Sequence, residues 1–191
     1  NVKEIKTNTV EKLRMDLNGI YQSKNICTVL CAVENIRKQG YVIPEASLHH
    51  ALENVKELTG IRGRWDIIQH HPTIIQDVAH NADGIKQVLF QLQSNYANAK
   101  IHFVLGFVRD KDVEDVLKLF PDNAKYYFTN AHIPRALVNT ELQEKAAKAG
   151  LVGECFETVD EAVNAAKKVA AVTDIIMICG SFFIISDSEL L

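Results

Sequence analysis

The sequence has no surplus of basic residues: 21 Lys and Arg stand against 24 Asp and Glu, a formal net charge of -3. A domain that works on nucleic acid or an anionic membrane normally carries a basic excess, because phosphate binding is driven by counterion release. Neither is expected as a partner. No apolar run, such as Ile175 to Cys179 or Phe182 to Ile185, approaches the roughly 20 residues needed to cross a bilayer. With 9 Gly, 4 Pro, 47% hydrophobic and 24% charged residues, disorder and fibrous repeats are excluded. There is no CxxC pair among Cys27, Cys31, Cys155 and Cys179. Cys27 and Cys31 fall one helical turn apart, but no His or third Cys stands beside them, so buried free thiols in a reducing, cytoplasmic setting are expected. The start, Asn1-Val2-Lys3-Glu4, has neither Met nor a charged-then-apolar leader, so the numbering is expected to begin inside a longer protein.

What is present is periodic. Ile26, Val29, Leu30, Val33 and Ile36 have the spacing of one helix face over Ser23–Gln39, and Gly40 ends that helix. A second helix is expected from Glu45 to Leu58, opened by Pro44 and burying Leu48, Ala51, Leu52 and Val55. Thr59-Gly60-Ile61-Arg62-Gly63-Arg64 reads as a hinge. Beyond it, strands are expected at 65–69, 73–76, 101–108, 125–129, 174–179 and 182–185. They alternate with helices at 82–96, 111–120, 139–149 and 160–171, the last introduced by the capping box Thr158 to Glu161. Strands separated by helices of this length make βαβ units with right-handed crossovers. Residues from about Arg64 onward are therefore expected to be a Rossmann-like α/β domain, a mostly parallel sheet flanked by helices and preceded by a helical segment.

The densest polar cluster, Gln76-Asp77-Val78-Ala79-His80-Asn81, follows an apolar strand and precedes an amphipathic helix. In open α/β sheets ligands bind at the carboxyl ends of the strands, where Asp77, His80 and Asn81 fall. Asn81 or Asp83 serves equally well as the helix cap, and His80 as a loop histidine. Arg64, after Gly63, can grip a phosphate or carboxylate through its forked guanidinium, or be a surface charge. Gly180-Ser181 offers a close backbone approach and a small hydroxyl, or a plain hairpin turn. GxGxxG, GxxxxGK[ST] and GxSxG are all missing, so no phosphate cradle and no serine-hydrolase elbow is expected. The adjacent pairs His49-His50 and His70-His71 point apart on a helix or strand and make no metal pair.

Four stretches, Asp16 to Asn25, Gly63-Arg64-Trp65, Asp77 to Asn81 and Asp174 to Ser181, together resemble in order and spacing the folylpolyglutamate synthase/dihydrofolate synthase family of the Mur ligase superfamily. Leu105 to Asp112 and Tyr126 to Thr129 also resemble it. The resemblance implies that residues 1–60 are the end of a central ATP-binding domain and 61–191 a C-terminal glutamate ligase domain. The implied reaction is ATP-dependent: a substrate carboxylate becomes an acyl phosphate, which the amino group of L-glutamate attacks, with dihydropteroate or a reduced folate as acceptor. Asn25, Arg64 and Asp77 match the family's ATP-binding positions, Arg64 and His80 its catalytic ones, and His80 and Ser181 those facing glutamate. The phosphate loop and Mg2+ ligands are expected upstream of Asn1, in an ATPase domain acting in cis, and no metal ligand within this chain. Alone, the chain is expected to be inactive. Two other readings stay open: a different Mur-type peptide ligase domain, and a non-catalytic Rossmann-like module binding a nucleotide or a protein.

Overall fold

The computed structural model describes residues 2–3, 10–109 and 112–188, in two compact units, Asn1–Ile61 and Arg62–Leu191. In the first unit a short antiparallel pair, β1 (Val2–Lys3) and β2 (Val10–Glu11), precedes helices α1 (Gln22–Lys38), α2 (Glu45–Glu53) and α3 (Val55–Thr59). The periodicity over Ser23–Gln39 does form α1. Of its apolar face only Ile26 is buried, against Leu48 and Leu52 of α2, while Val29 and Ile36 are exposed. Cys27 and Cys31, expected as buried thiols, are likewise exposed, because they lie on a side of α1 that this unit does not cover. Cys155 is half-buried, and Cys179 alone of the four is fully enclosed.

The single helix expected over Glu45–Leu58 is two. Asn54 leaves the helical region (φ -130, ψ 31), and its side-chain amide donates to the His50 carbonyl at 2.8 Å, a local bond that competes with the helical ladder. Asp16 then accepts from the Lys56 amide at 2.8 Å and caps α3 from a distant part of the chain. The break leaves Leu48 and Leu52 buried but Ala51 exposed and Val55 half-buried. Pro44 stands just outside α2 as its N-cap, extended at ψ 146, and the helix opens at Glu45 as expected.

The second unit is a six-stranded sheet in the order β3-β4-β8-β5-β6-β7. Its strands are β3 (Arg64–Gln69), β4 (Thr73–Asp77), β5 (Ile101–Leu105), β6 (Lys125–Phe128), β7 (Gly153–Cys155) and β8 (Ile175–Cys179), interleaved with α4 (Ala82–Asn95), α5 (Val113–Leu117), α6 (Asn139–Lys148), α7 (Val159–Val169) and α8 (Phe182–Ser186). All neighbours pair in parallel except β3, which runs antiparallel to β4. The expected mostly parallel α/β sheet is thus present.

Alternation along the strands divides the core in two. Ile75, Phe103, Leu105, Phe128 and Met177 meet α4, α5 and α6, while Ile74, Val104, Tyr127, Ile176 and Ile178 meet α7 and α8. Each such side chain contributes about 1.5–3 kcal/mol by leaving water.

Four expectations change, the first being the strand expected at 101–108, which is β5 and ends at Leu105. Phe182–Ile185, read as a strand, is helix α8: the Ser181 hydroxyl accepts from the Phe183 amide at 3.1 Å, and only one side of the turn, Ile184 and Ile185, is buried. Gly180-Ser181 is therefore a strand-to-helix turn and not a hairpin. Strand β7 has no counterpart among the expected strands; its three residues include exposed Glu154 and have no apolar alternation. The helix expected from Lys111 to Phe120 is α5, Val113–Leu117; Asp110 and Lys111 lie outside the described residues. The capping box is present as read, with the Glu161 amide donating to Thr158 Oγ1 at 3.1 Å and Glu161 Oε2 accepting from the Thr158 amide at 3.3 Å.

At the amino ends of the strands, buried His102 lies 3.3 Å through Nε2 from Asp174 and 3.0 Å through Nδ1 from the Tyr127 hydroxyl. Burial holds His102 below its ordinary value of 6.5, against the pull of Asp174. Burial also pushes Asp174 up, but the Ala171 amide and His102 outweigh it and leave Asp174 below 3.8. Both folded values are depressed, so the stability they contribute is present at neutral pH and lost on acidification, from pH 6.5 downward for His102 and below 3.8 for Asp174. Asp174→Ala strands the imidazole and the Ala171 amide. It is expected to cost about 2–3 kcal/mol in urea unfolding at pH 7; an unchanged midpoint would remove this network from the stability of the sheet.

Candidate functional site

Because β3 is antiparallel, its first residue, Arg64, pairs with Asp77, the last residue of β4. Arg64 thereby joins the carboxyl edge of the parallel strands, with the β4–α4 turn (78–81), the β8–α8 turn (180–181) and the segment after β6 (129–138). The turns are tied together: the Gly180 amide donates to the Ala79 carbonyl at 2.8 Å and the Val78 amide to Gly63 at 2.9 Å. Four of the residues singled out from sequence, Arg64, Asp77, His80 and Ser181, therefore share one edge. Asn25 belongs to the first unit, exposed on α1, where its amide donates to Gln22 Oε1 at 2.8 Å.

The chemistry differs residue by residue. Asp77 is 2% exposed; its Oδ2 accepts from the Trp65 amide at 3.0 Å and its Oδ1 from the Ala79 amide at 2.9 Å. It stitches β3 to the β4–α4 turn. His80 is half-buried, with Nδ1 2.9 Å from the Val78 carbonyl. A carbonyl only accepts, so Nδ1 is the donor in this contact and Nε2 is the ring nitrogen left to meet a ligand. Asn81 is the N-cap of α4, accepting from the Gly84 amide at 2.8 Å. Ser181 is buried and caps α8. Arg64 is half-buried, and its guanidinium makes no ion pair among the described residues. A cation held at a sheet edge without an ion pair among the described residues is suited to an anionic ligand.

Sequence reading missed two features here. Trp65 is buried with φ 56, a left-handed conformation that costs a bulky L-residue about 1–2 kcal/mol. No periodicity signals it. The second is the segment after β6. His132 Nδ1 lies 2.7 Å from Asp187 Oδ2, and Arg135 stacks 4.7 Å above the Phe183 ring, so this segment clasps α8. With Arg109 it lines a cleft of about 490 Å3. The run His132-Ile133-Pro134-Arg135 carries the signal, but those residues lie in an irregular stretch where no repeat points to them.

Among the described residues no group of three His, Cys, Asp or Glu could hold a metal ion. Mg2+ finds no ligand set among them. For ATP, the Arg64 guanidinium fits a phosphate, whereas a glycine-rich phosphate loop has no counterpart in the sequence.

Comparison with known proteins adds an independent line. Dihydrofolate synthase/folylpolyglutamate synthase of Bacillus subtilis is 25% identical over 179 residues, 93% of this chain and 40% of that protein. The Escherichia coli protein of the same name is 27% identical over 177 residues, 91% of this chain and 38% of the relative. Among solved structures, E. coli FolC in complex with DHPP and ADP superposes with a TM-score of 0.75 at 25% identity, covering 94% of this chain and 40% of that one. The chain thus spans about 40% of the length of these relatives. The family model of the Mur ligase, glutamate ligase domain matches residues 63–182, most of the chain, and the chain belongs to that family.

Proposed function

We propose that the chain is the C-terminal part of an ATP-dependent folate ligase that adds L-glutamate to dihydropteroate or a reduced folate through an acyl phosphate. In this reading residues 1–60 end the central ATP-binding domain and 61–191 form the glutamate ligase domain. The missing ATPase domain acts in cis and supplies the phosphate loop and the Mg2+ ligands, and the protein works in the cytoplasm. The observation that carries the reading is the Arg64 guanidinium, without an ion pair among the described residues, on the same sheet edge as His80 and Ser181. The activities for which the relatives are named, and the ADP bound in the E. coli complex, support the choice of substrates.

Bound ATP supplies the phosphoryl group that activates the carboxylate. Arg64 offsets the charge that builds on that group as it transfers, an electrostatic task that a preorganised cation performs well. His80 presents Nε2 to the glutamate ammonium and takes its proton as the amine attacks. Ser181, seated where α8 begins, faces glutamate, and Asn25 contacts the nucleotide. For Asp77 the resemblance implies a nucleotide contact too; its burial and two amide donors favour a task of holding Trp65 and Ala79. Closure of the two domains excludes water from the acyl phosphate.

The test is ADP release by the full-length protein with ATP, Mg2+ and L-glutamate, offering dihydropteroate and tetrahydrofolate separately. Release that requires glutamate and at least one pterin is the expected result. Silence with both, or turnover on a muramyl peptide precursor instead, would overturn it.

A further inference from the structure

Resting on that reading of Arg64, we propose that Asp66 is a positioning residue that sets where the Arg64 guanidinium points. Asp66 is 4% exposed, and its Oδ2 accepts from the Gly63 amide at 2.5 Å and the Arg64 amide at 3.4 Å. The next amide along, that of Trp65, donates to Asp77. Three consecutive backbone N–H groups are thus wrapped around two buried carboxylates.

This wrapping has a geometric consequence. Arg64 pairs with Asp77 and Asp66 with Gln76, so Trp65 is an extra residue on β3, a bulge of the kind that re-aims a side chain at a sheet edge. Straightened, with Asp66 kept opposite Gln76, the strand would place Trp65 opposite Asp77 and Arg64 one residue further along. A one-residue slip sends a side chain to the other face of the sheet. The left-handed Trp65 (φ 56) is the backbone form of that extra residue, and the two carboxylates hold it there. Asp77 is fixed by β4 itself; Asp66 is the member of the pair that binds the amide of Arg64 directly.

The experiment is a double-mutant cycle in the full-length protein, read by steady-state ADP release. Asp66→Ala removes the acceptor and is expected to lower kcat about ten- to a hundredfold while the KM for glutamate changes less than about twofold. Asp66→Asn keeps one carbonyl acceptor and gives an intermediate loss. In an Arg64→Ala background neither Asp66 substitution lowers kcat further, because the group it aims is gone.

A residue needed only for folding would give the same loss in both backgrounds, and that additive result overturns the inference, as does unchanged kcat in Asp66→Ala. Where circular dichroism shows the alanine variant unfolded, the asparagine variant carries the cycle under the same criterion. An inactive wild type would sink the ligase reading itself, and an active Arg64→Ala enzyme would remove Arg64 from the site. An active wild type with a slow Arg64→Ala and additive Asp66 losses sinks only the role given to Asp66.

Discussion

Arg64→Ala in the full-length protein is expected to lower kcat by about 10²- to 10³-fold, the usual loss when one preorganised group facing developing charge is removed. The fall should be in turnover more than in KM for the pterin, since the interaction is made with charge that appears during phosphoryl transfer. Folding should be little disturbed. Arg64 makes no ion pair among the described residues, and its substitution leaves the Asp66 and Asp77 bonds to backbone amides in place. Arg64→Lys should recover only part of the activity, because an ammonium keeps the charge but loses the planar fork. Steady-state kinetics paired with thermal melts make the check. Unchanged kinetics, or a loss of activity that follows a loss of folded protein, would take Arg64 out of the chemistry.

The fold is legible wherever a strand or helix carries its own period. Ile85, Val88 and Leu92 on α4 and the apolar runs of β4, β5 and β8 announce a βαβ sheet, and the sheet is there. The errors have local causes. Phe182-Phe183-Ile184-Ile185 is aromatic and β-branched, which favours a strand, but the Ser181 cap and the left-handed Gly180 start a helix instead. β7 is three residues long and owes its place to Tyr126, Tyr127 and Phe128 across the ladder, which local sequence cannot supply.

The site is legible in position and less so in role. The loop 77–81 can be read as a carboxyl-edge turn, and Asn81 as a cap, because both are local patterns. The joining of Arg64 to that edge depends on β3 running against β4, and the work of Asp66 depends on a bulge; both are facts of pairing that no single stretch of sequence displays.

That edge also rests on one glycine. Gly180 has φ 115, a region essentially closed to other residues, and a Cβ there would stand 2.6 Å from the Gly106 carbonyl oxygen and 3.1 Å from the Phe107 ring. Neither neighbour can give way cheaply: Gly106 follows β5, the strand hydrogen-bonded to β8, and Phe107 is buried. Gly180→Ala therefore combines backbone strain of about 1–3 kcal/mol with overpacking of about 1–3 kcal/mol, and a loss of about 3–5 kcal/mol in urea unfolding is expected. Gly60→Ala is the control, since Gly60 is also left-handed (φ 66) but a Cβ there would meet nothing within 4 Å, leaving about 1–2 kcal/mol of strain alone. Equal losses in the two variants would reject the steric part of the argument. The difference matters for function because the Gly180 amide holds the Ala79 carbonyl, one residue from His80. A shifted β8–α8 turn must displace either Ser181 or the His80 turn. Gly180→Ala at a temperature where it stays folded should accordingly lose activity, while folded Gly60→Ala keeps the geometry of that edge.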